Sequence, residues 1–196
     1  MHPDHTIKLC APTGRAAQRI AESTGMPATT IHRLLDYKPY GDSVTHKDAS
    51  NPIDADFLVV DEMSMTDIEL FDLLLCALKN GTTLVLVGDI NQLESVGPGS
   101  VLHDLLNVSD TIIQKCMLTD VYRQKGGSPI IDNAIKINEG NISLDGSHED
   151  FQIFNTKSEE ETLEKIKELM TVLYNPDDPF ETQILCPARK GISGVD

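Results

Sequence analysis

Short apolar stretches alternate with longer amphipathic segments along the whole chain. Continuous apolar runs are typical of strands in a parallel sheet covered on both faces, whereas an apolar residue at every third or fourth position is typical of a helix. The alternation predicts an α/β fold with a doubly wound, mainly parallel sheet. The predicted strands are 7–11, 57–60, 82–87, 111–118, 151–154 and 182–186, and the predicted helices are 14–23, 29–35, 66–78, 98–106, 128–138 and 159–174.

Two polar segments interrupt this pattern. Residues 38–52 are rich in turn-forming residues and predict a loop or a small hairpin. Residues 139–150 are polar and contain glycines, which is typical of a domain boundary. We therefore predict a first domain over 1–140, a linker over 141–150 and the beginning of a second domain over 151–196.

The composition is that of an ordinary globular protein, with 40% hydrophobic and 24% charged residues. No apolar stretch approaches the roughly 20 residues of a membrane helix, and the first residues lack the pattern of a secretion signal. These features predict a cytoplasmic protein without membrane association. The cysteines are isolated within apolar sequence, which favours buried reduced thiols over disulfides or a zinc site; they are Cys10, Cys76, Cys116 and Cys186.

The formal net charge of −15 is unusual for a protein that binds nucleic acid, because such proteins generally carry an excess of basic residues. A nucleic-acid interface on this chain would therefore have to be a local basic strip on an acidic body.

Polar residues follow three of the predicted strands. They are Pro12-Thr13-Gly14, Asp61-Glu62 and Gly88-Asp89. Ligands of doubly wound folds bind beyond the carboxyl ends of the strands, so we expect these residues to converge on one edge of the sheet.

The acidic pair Asp61-Glu62 follows a fully apolar strand. One carboxylate can hold Mg²⁺, usually through water, and the next can orient or deprotonate an attacking water. An acidic pair at a strand end can equally cap the following helix or face solvent.

Two further side chains could act on the same phosphate group. The amide of Gln92 can both donate and accept, so it can sense a γ-phosphate or an attacking water. The guanidinium of Arg123 can stabilise charge on phosphates. The alternatives are a turn in which Asp89 and Gln92 bond backbone groups, and a surface arginine at position 123.

Ordered motifs give the chain a resemblance to a known family. Residues 11–17, 29–35, 59–65, 87–99 and 118–124 resemble helicase motifs Ia, Ib, II, III and IV, in that order. The strings Thr-Ile-His-Arg-Leu-Leu at 30–35 and Cys-Pro-Ala-Arg-Lys-Gly at 186–191 resemble the RecD/TraA branch of superfamily 1 DNA helicases, the exodeoxyribonuclease V alpha-subunit family.

This resemblance implies a truncated RecA-like P-loop NTPase core and the start of a second RecA-like domain. It implies an ATP-dependent helicase with Mg²⁺ and ATP as cofactors, which couples ATP hydrolysis to 5′-to-3′ movement along single-stranded DNA. DNA repair or recombination is the expected role, with the protein acting either alone or with the subunits of a nuclease complex.

The resemblance also assigns roles by position. Asp61 corresponds to the carboxylate that binds Mg²⁺ and ATP, and Glu62 to the catalytic base. Gln92 corresponds to the link between the γ-phosphate and the DNA groove, and Arg123 to an arginine that contacts the nucleotide. The residues that match DNA-facing segments are Pro12, Thr13, Gly14, Thr30 and His32; a threonine hydroxyl and amides at a helix start suit a DNA phosphate.

One expected element is missing. No Gly-x-x-x-x-Gly-Lys-Ser/Thr loop occurs in the sequence, and Arg15 stands in Thr13-Gly14-Arg15 where such a loop needs lysine. The resemblance therefore implies that the sequence is a piece of a helicase truncated at both ends, and this piece alone is not expected to hydrolyse ATP.

Two other function classes compete with the helicase. A metal-dependent nuclease could use Asp61, Glu62 and Asp89, since two-metal sites need clustered carboxylates, but Gln92 and Arg123 would then have no role. An interaction module without enzymatic activity is the third class. ATP hydrolysis stimulated by single-stranded DNA would identify the helicase, and DNA digestion without ATP the nuclease.

Overall fold

The computed structural model describes residues 5–37, 46–118, 128–192 and 194. The chain divides into two compact units, Met1–Thr119 and Asp120–Asp196. The sequence had placed residues 128–138 at the end of a first domain, whereas they fall within the second unit. The assignment of residues 151–196 to the beginning of a second RecA-like domain stays a prediction.

Four parallel strands form the sheet of the first unit. They are β1 (Ile7–Ala11), β2 (Ala28–Thr30), β3 (Phe57–Val60) and β4 (Thr83–Leu86). Their order across the sheet is β2-β1-β3-β4, and every neighbouring pair is parallel. With its flanking helices, this sheet confirms the predicted α/β fold.

Short polar side chains start three of the four helices of this unit. Thr13, Thr30 and Asp67 each accept a hydrogen bond from a backbone N–H in the first turn, which satisfies a donor that the helix itself leaves unpaired. The helices are α1 (Gly14–Thr24), α2 (Ile31–Leu34), α3 (Ile68–Cys76) and α4 (Val101–Leu106).

Helices pack on both faces of β1. Cys10 belongs to the main core, which includes Leu70 and Leu74 of α3, whereas its neighbour Ala11 packs with Ala16 and Ala17 of α1. Consecutive residues of a strand point to opposite faces, so the two clusters lie on opposite sides of the sheet. The sheet is therefore doubly wound, as the sequence predicted.

The chain leaves β3 through a residue with an unfavourable backbone conformation. Glu62 has φ 55° and ψ 42°, in the left-handed region that costs a residue with a Cβ atom about 1–2 kcal/mol. A 3₁₀ turn, Met63–Met65, follows at once, and the Met63 side chain is fully buried. The Met63 N–H donates to the Val87 carbonyl beyond β4 at 2.9 Å, so the turn is held in place by the sheet.

Several elements in the first unit differ from the prediction. Residues 28–30 form a strand rather than the start of a helix, because they pair with β1. Helix α4 begins at Val101 and not at Pro98, since Gly99 has φ 91° and the Pro98 carbonyl accepts the Ile68 N–H at 2.9 Å.

The predicted strand 111–118 is absent from the described structure. Residues 109–113 form a turn in which the Ser109 carbonyl accepts the N–H groups of Ile112 and Ile113. Lys115 Nζ donates to the carbonyls of Leu106 and Val108 at 2.8 and 2.6 Å. The segment therefore caps the end of α4 instead of joining the sheet.

Strand β4 is less covered than its apolar sequence suggested. Val85 is 40% exposed, and β3 is the sole partner of β4 among the residues that the structure describes. The prediction that both faces of the sheet are covered is therefore wrong for this strand.

The described residues of the second unit form two helices and a hairpin. They are α5 (Pro129–Asn138), β5 (Ser147–His148), β6 (Phe151–Gln152) and α6 (Glu159–Leu173). The fully buried Asn133 ties α5 to the following segment, because its amide donates to the Asp145 carbonyl at 2.7 Å and accepts the Asp145 N–H at 2.9 Å. The predicted strand 182–186 is not formed, and 151–154 is reduced to β6.

The cysteines are free, but they are not all buried as the sequence suggested. Cys10 is buried, and this burial raises the pKa of its thiol to about 12, so the thiol is inert at neutral pH. Cys76 and Cys116 are exposed and Cys186 is half-buried. Cys76 is exposed because it lies on the outer side of α3, and Cys116 is exposed because it lies in the segment after α4.

Within residues 5–37, 46–118 and 128–192, no helix combines the length and apolar character needed to cross a bilayer.

Adjacent leucines on α3 provide a test of this core. Leu74 is fully buried, whereas Leu75 is 44% exposed. We expect Leu74→Ala to lower the free energy of unfolding by about 2–5 kcal/mol through loss of packing and creation of a cavity. Leu75→Ala should cost less than about 1 kcal/mol. Urea unfolding of both variants measures the difference, and equal losses would contradict this packing.

The strained backbone at Glu62 gives a second test. Glycine has no Cβ penalty at positive φ, so we expect Glu62→Gly to be more stable than Glu62→Ala by about 1 kcal/mol. The matched control is Asp72, an exposed residue within α3, where the order should reverse and alanine should be the more stable by about 1 kcal/mol. The same order at both positions in urea unfolding would rule out strain at Glu62.

Candidate functional site

The candidate residues that the structure describes lie at one edge of the sheet, because all four strands run in the same direction. In the register of the sheet, Ala11 is opposite Thr30, Cys10 is opposite Val60, and Val60 is opposite Leu86. The loops that follow the four strands therefore leave the sheet side by side. From one side to the other, they carry the DNA-facing candidates of β2 and β1, the acidic pair after β3, and the segment of Asp89 and Gln92 after β4.

The acidic pair is fixed by the neighbouring strands. The Asp61 N–H donates to the Cys10 carbonyl of β1 at 2.9 Å, and one Asp61 carboxylate oxygen accepts the Glu62 N–H at 2.9 Å. Both acidic side chains are partly exposed. The pair does not cap α3, since that role belongs to Asp67, so one of the alternatives left open by the sequence is excluded.

The turn after β4 packs closely against the turn after β3. A Cβ atom added to Gly88 would lie 2.8 Å from Leu102 Cδ2 and 3.1 and 3.2 Å from the backbone nitrogens of Met63 and Ser64. Any side chain at position 88 would therefore push the two turns apart. Glycine allows the backbone after β4 to approach the residues that directly follow the acidic pair.

Asp89 and Gln92 form a local turn, as the structural alternative from the sequence suggested. The Asp89 side chain accepts the Asn91 N–H at 2.9 Å, and the Gln92 N–H donates to the Asp89 carbonyl at 3.2 Å. The Gln92 side-chain amide approaches Asp89 Oδ2 only at 3.4 Å, which is long for a hydrogen bond. The Gln92 side chain is exposed, and this weak contact does not fix its amide.

A small pocket brings Gln92 next to the turn that follows the acidic pair. The pocket is shallow and open to solvent, with room for about one water molecule. Gln92 and Ser64 both line it, whereas Asp61 and Glu62 do not. The structure thus brings the glutamine loop to the 3₁₀ turn but not directly to the two carboxylates.

The predicted DNA-facing residues lie at the starts of two helices. Thr13 Oγ1 accepts the Ala16 N–H and Thr30 Oγ1 accepts the Arg33 N–H, both at 3.2 Å. Pro12 and Gly14 flank Thr13. His32, in α2, lies beside the Tyr37 ring at a centroid distance of 5.9 Å.

Arg123, the predicted nucleotide-contacting arginine, lies outside the described residues.

The donors at the end of β3 fit a hard divalent cation. The Glu62 N–H is the only described group that donates to the Asp61 carboxylate, so its second oxygen can take a ligand. Mg²⁺ prefers oxygen and keeps several waters, so one carboxylate with its partly exposed surroundings is sufficient. A two-metal nuclease needs a tighter cluster, and no group of three His, Cys, Asp or Glu side chains in the described parts of the chain could hold a metal ion.

Sequence reasoning gave no role to Ser64 and did not foresee the left-handed backbone of Glu62. Ser64 stands within the motif at residues 59–65, and its position two residues after the acidic pair was the only available signal. The backbone angle of Glu62 had no signal, because the left-handed region is usually marked by glycine, asparagine or aspartate.

Comparison with known proteins identifies the family. Residues 1–98, half of the 196-residue chain, match the model of the AAA domain family. The chain is 38% identical over 190 residues to the ATP-dependent RecD2 DNA helicase of Deinococcus radiodurans, an alignment that covers 97% of this chain and 25% of that protein. It is 41% identical over 120 residues to the RecBCD enzyme subunit RecD of Mycolicibacterium smegmatis, covering 53% of this chain and 22% of that subunit.

A solved structure of Bacteroides Pif1 bound to single-stranded DNA is also similar, with a TM-score of 0.48 and 17% identity over 89% of this chain and 48% of that one. The chain spans about a quarter of the length of the RecD2 and RecD relatives. The match over residues 1–98 and the RecD-type relatives agree with the order of the sequence motifs. The chain therefore belongs to the AAA domain family and is similar to RecD-type DNA helicases.

Proposed function

We propose that the chain is the Mg²⁺-binding, nucleotide-sensing and DNA-contacting part of an ATP-dependent DNA helicase. The full-length protein would couple ATP hydrolysis to 5′-to-3′ movement on single-stranded DNA in DNA repair or recombination. The observation that carries this proposal is the order of loops along one sheet edge, where the acidic pair of β3 lies between the DNA-facing candidates and the Gln92 loop. This arrangement suits a motor, because hydrolysis of a nucleotide bound at the acidic pair can affect both the DNA-facing loops on one side and the Gln92 loop on the other.

Asp61 and Glu62 have different tasks in this proposal. Asp61 supplies the carboxylate oxygen for Mg²⁺, while its other oxygen is occupied by the Glu62 N–H. When bound, Mg²⁺ neutralises charge on the β- and γ-phosphates. Glu62 accepts the proton of the attacking water, and its unfavourable backbone conformation is of the kind that clusters at active sites.

Gln92 reads the state of the nucleotide. Its amide is exposed and weakly held, so it can turn toward a γ-phosphate without breaking a strong bond. Arg123 would stabilise the charge that develops on the transferred phosphate; this role rests on the family resemblance.

The starts of α1 and α2 would contact DNA phosphates. Thr13 and Thr30 accept cap hydrogen bonds, and each hydroxyl still has its proton to donate. The first turn of α1 has no acidic residue and carries Arg15, so its amide groups offer a favourable site for a phosphate. Pro12, Gly14 and His32 lie beside these threonines and would complete the contact.

The 196-residue chain by itself is not expected to hydrolyse ATP, because it lacks a lysine-containing loop to hold the β-phosphate. A RecD-like chain can work inside a larger assembly, as the name of the RecBCD subunit indicates, so subunits of a nuclease complex are proposed as partners beside single-stranded DNA. The cytoplasmic location inferred from the sequence stays a prediction. The helicase names of the relatives do not favour the nuclease or the silent module.

The first test removes the proposed base. In the full-length protein, we expect Glu62→Gln to reduce ATP turnover by roughly 10²–10⁴-fold, the usual contribution of a general base. Nucleotide binding should be retained, because the Asp61 carboxylate is unchanged. Steady-state ATPase rates and binding of a fluorescent ATP analogue measure the two effects. Glu69→Gln, an exposed acid on α3, is the control that should behave like the parent. Equal rates for Glu62→Gln and the parent would reject the assignment.

The second test addresses Gln92. We expect Gln92→Ala to remove the stimulation of ATP hydrolysis by single-stranded DNA, because the amide would link the γ-phosphate to the DNA groove. The rates with and without an oligonucleotide should become similar, whereas Asn91→Ala, which removes a neighbouring exposed amide, should retain the stimulation. Undiminished stimulation in Gln92→Ala would contradict the proposed role.

A further inference from the structure

Two hydroxyl groups just after the acidic pair are buried without a hydrogen-bond partner among the described residues. They belong to Ser64, which is 9% exposed, and Thr66, which is 1% exposed. Burying a hydroxyl group without a partner is unfavourable, so such a group calls for an explanation.

Ser64 differs from Thr66 in one respect. Ser64 lines the pocket that Gln92 also lines, and Thr66 does not. A hydrogen-bond partner for Ser64 can therefore come from the pocket if its hydroxyl, which is covered in this structure, turns toward it. The Thr66 hydroxyl is also buried without a partner among the described residues, but Thr66 does not line the pocket. Thr66 is therefore a control for the effect of losing a buried hydroxyl group.

The other polar groups of the pocket are already engaged. The Ser100 hydroxyl donates to the Glu94 carboxylate, and the His103 ring nitrogen lies 3.3 Å from the Asn107 amide. Gln92 has only its long contact to Asp89. Among the polar side chains that line the pocket, Ser64 is thus the one without a hydrogen-bond partner in the described residues, and Gln92 has only a long contact.

A hydrogen bond between Ser64 and Gln92 would connect the turn after β3, which carries the acidic pair, with the loop after β4. Ser64 lies two residues after Glu62, in the 3₁₀ turn whose Met63 N–H is bonded to Val87. Its hydroxyl can donate to the Gln92 amide oxygen, which leaves the NH₂ group of Gln92 for a phosphate.

We propose that Ser64 is a positioning residue whose hydroxyl binds the Gln92 side-chain amide when nucleotide is present, so that the acidic pair and the glutamine loop respond together. This inference rests on the proposed function, in which Glu62 is the base and Gln92 links nucleotide to DNA. It names a role for a residue that does not itself touch the reacting atoms.

The test compares Ser64→Ala with Thr66→Val in the full-length protein. Each substitution removes one buried hydroxyl with little change in shape. We expect Ser64→Ala to lower the DNA-stimulated kcat roughly 3- to 10-fold, the loss that one hydrogen bond supports. KM for ATP should stay the same, because the bond orients a group and does not bind substrate. Thr66→Val should match the parent, and Ser64→Thr should restore most of the rate.

A double-mutant cycle separates coupling from a general structural effect. If Ser64 acts through Gln92, the variant with both Ser64→Ala and Gln92→Ala will be no slower than Gln92→Ala alone. Thermal unfolding should show Ser64→Ala to be at least as stable as the parent, because an unpartnered hydroxyl contributes no stability.

Additive losses in the cycle, or equal kcat for Ser64→Ala and the parent, would overturn the role of Ser64 while leaving the helicase proposal intact. Failure of the proposed function looks different: the parent would then show no DNA-stimulated hydrolysis, or Glu62→Gln would turn over at the parental rate, and both proposals would fall.

Discussion

Parallel pairing of β1 with β3 is the constraint on which the rest of the site depends. The register of Cys10 with Val60 places the Asp61 N–H against the Cys10 carbonyl at 2.9 Å, and this bond fixes where the acidic pair leaves the sheet. Because β2 and β4 run in the same direction, the loops that follow all four strands meet at one edge. Residues separated by long stretches of sequence are thereby brought side by side without any direct bond between their side chains.

The turns that follow β3 and β4 approach each other closely, and this approach requires unfavourable or restricted backbone conformations. The backbone of Glu62 is in the left-handed conformation, which is unfavourable for a residue with a Cβ atom. Position 88 favours glycine, because the neighbouring backbone and Leu102 lie too close for a Cβ atom without a shift. Two features stabilise this conformation: the Met63 side chain is fully buried, and its N–H donates a hydrogen bond to the Val87 carbonyl. An acidic turn held by backbone hydrogen bonds beside a weakly held Gln92 suits the proposed nucleotide-driven motor, since one side must be preorganised and the other must respond.

Two of the incorrect sequence predictions have a common cause, because in both a tertiary contact overrode a local pattern. Apolar residues near 111–118 suggested a strand, but Lys115 binds the carbonyls at the end of α4 and turns the segment away from the sheet. The helix predicted over 29–35 begins only at Ile31, because the β-branched Thr29 and Thr30 pair with β1.

The sequence by itself determined the α/β class, the bounds of β1 and β3, and the family, because these depend on local periodicity and ordered motifs. It also identified Asp61, Glu62 and Gln92 as candidates. Only the tertiary structure decided that Ser64 and Gln92 share a pocket, that Glu62 is left-handed, and that Asp67 rather than the acidic pair caps α3. The physical reason is that burial and proximity arise from packing between distant segments, which no single stretch of sequence encodes.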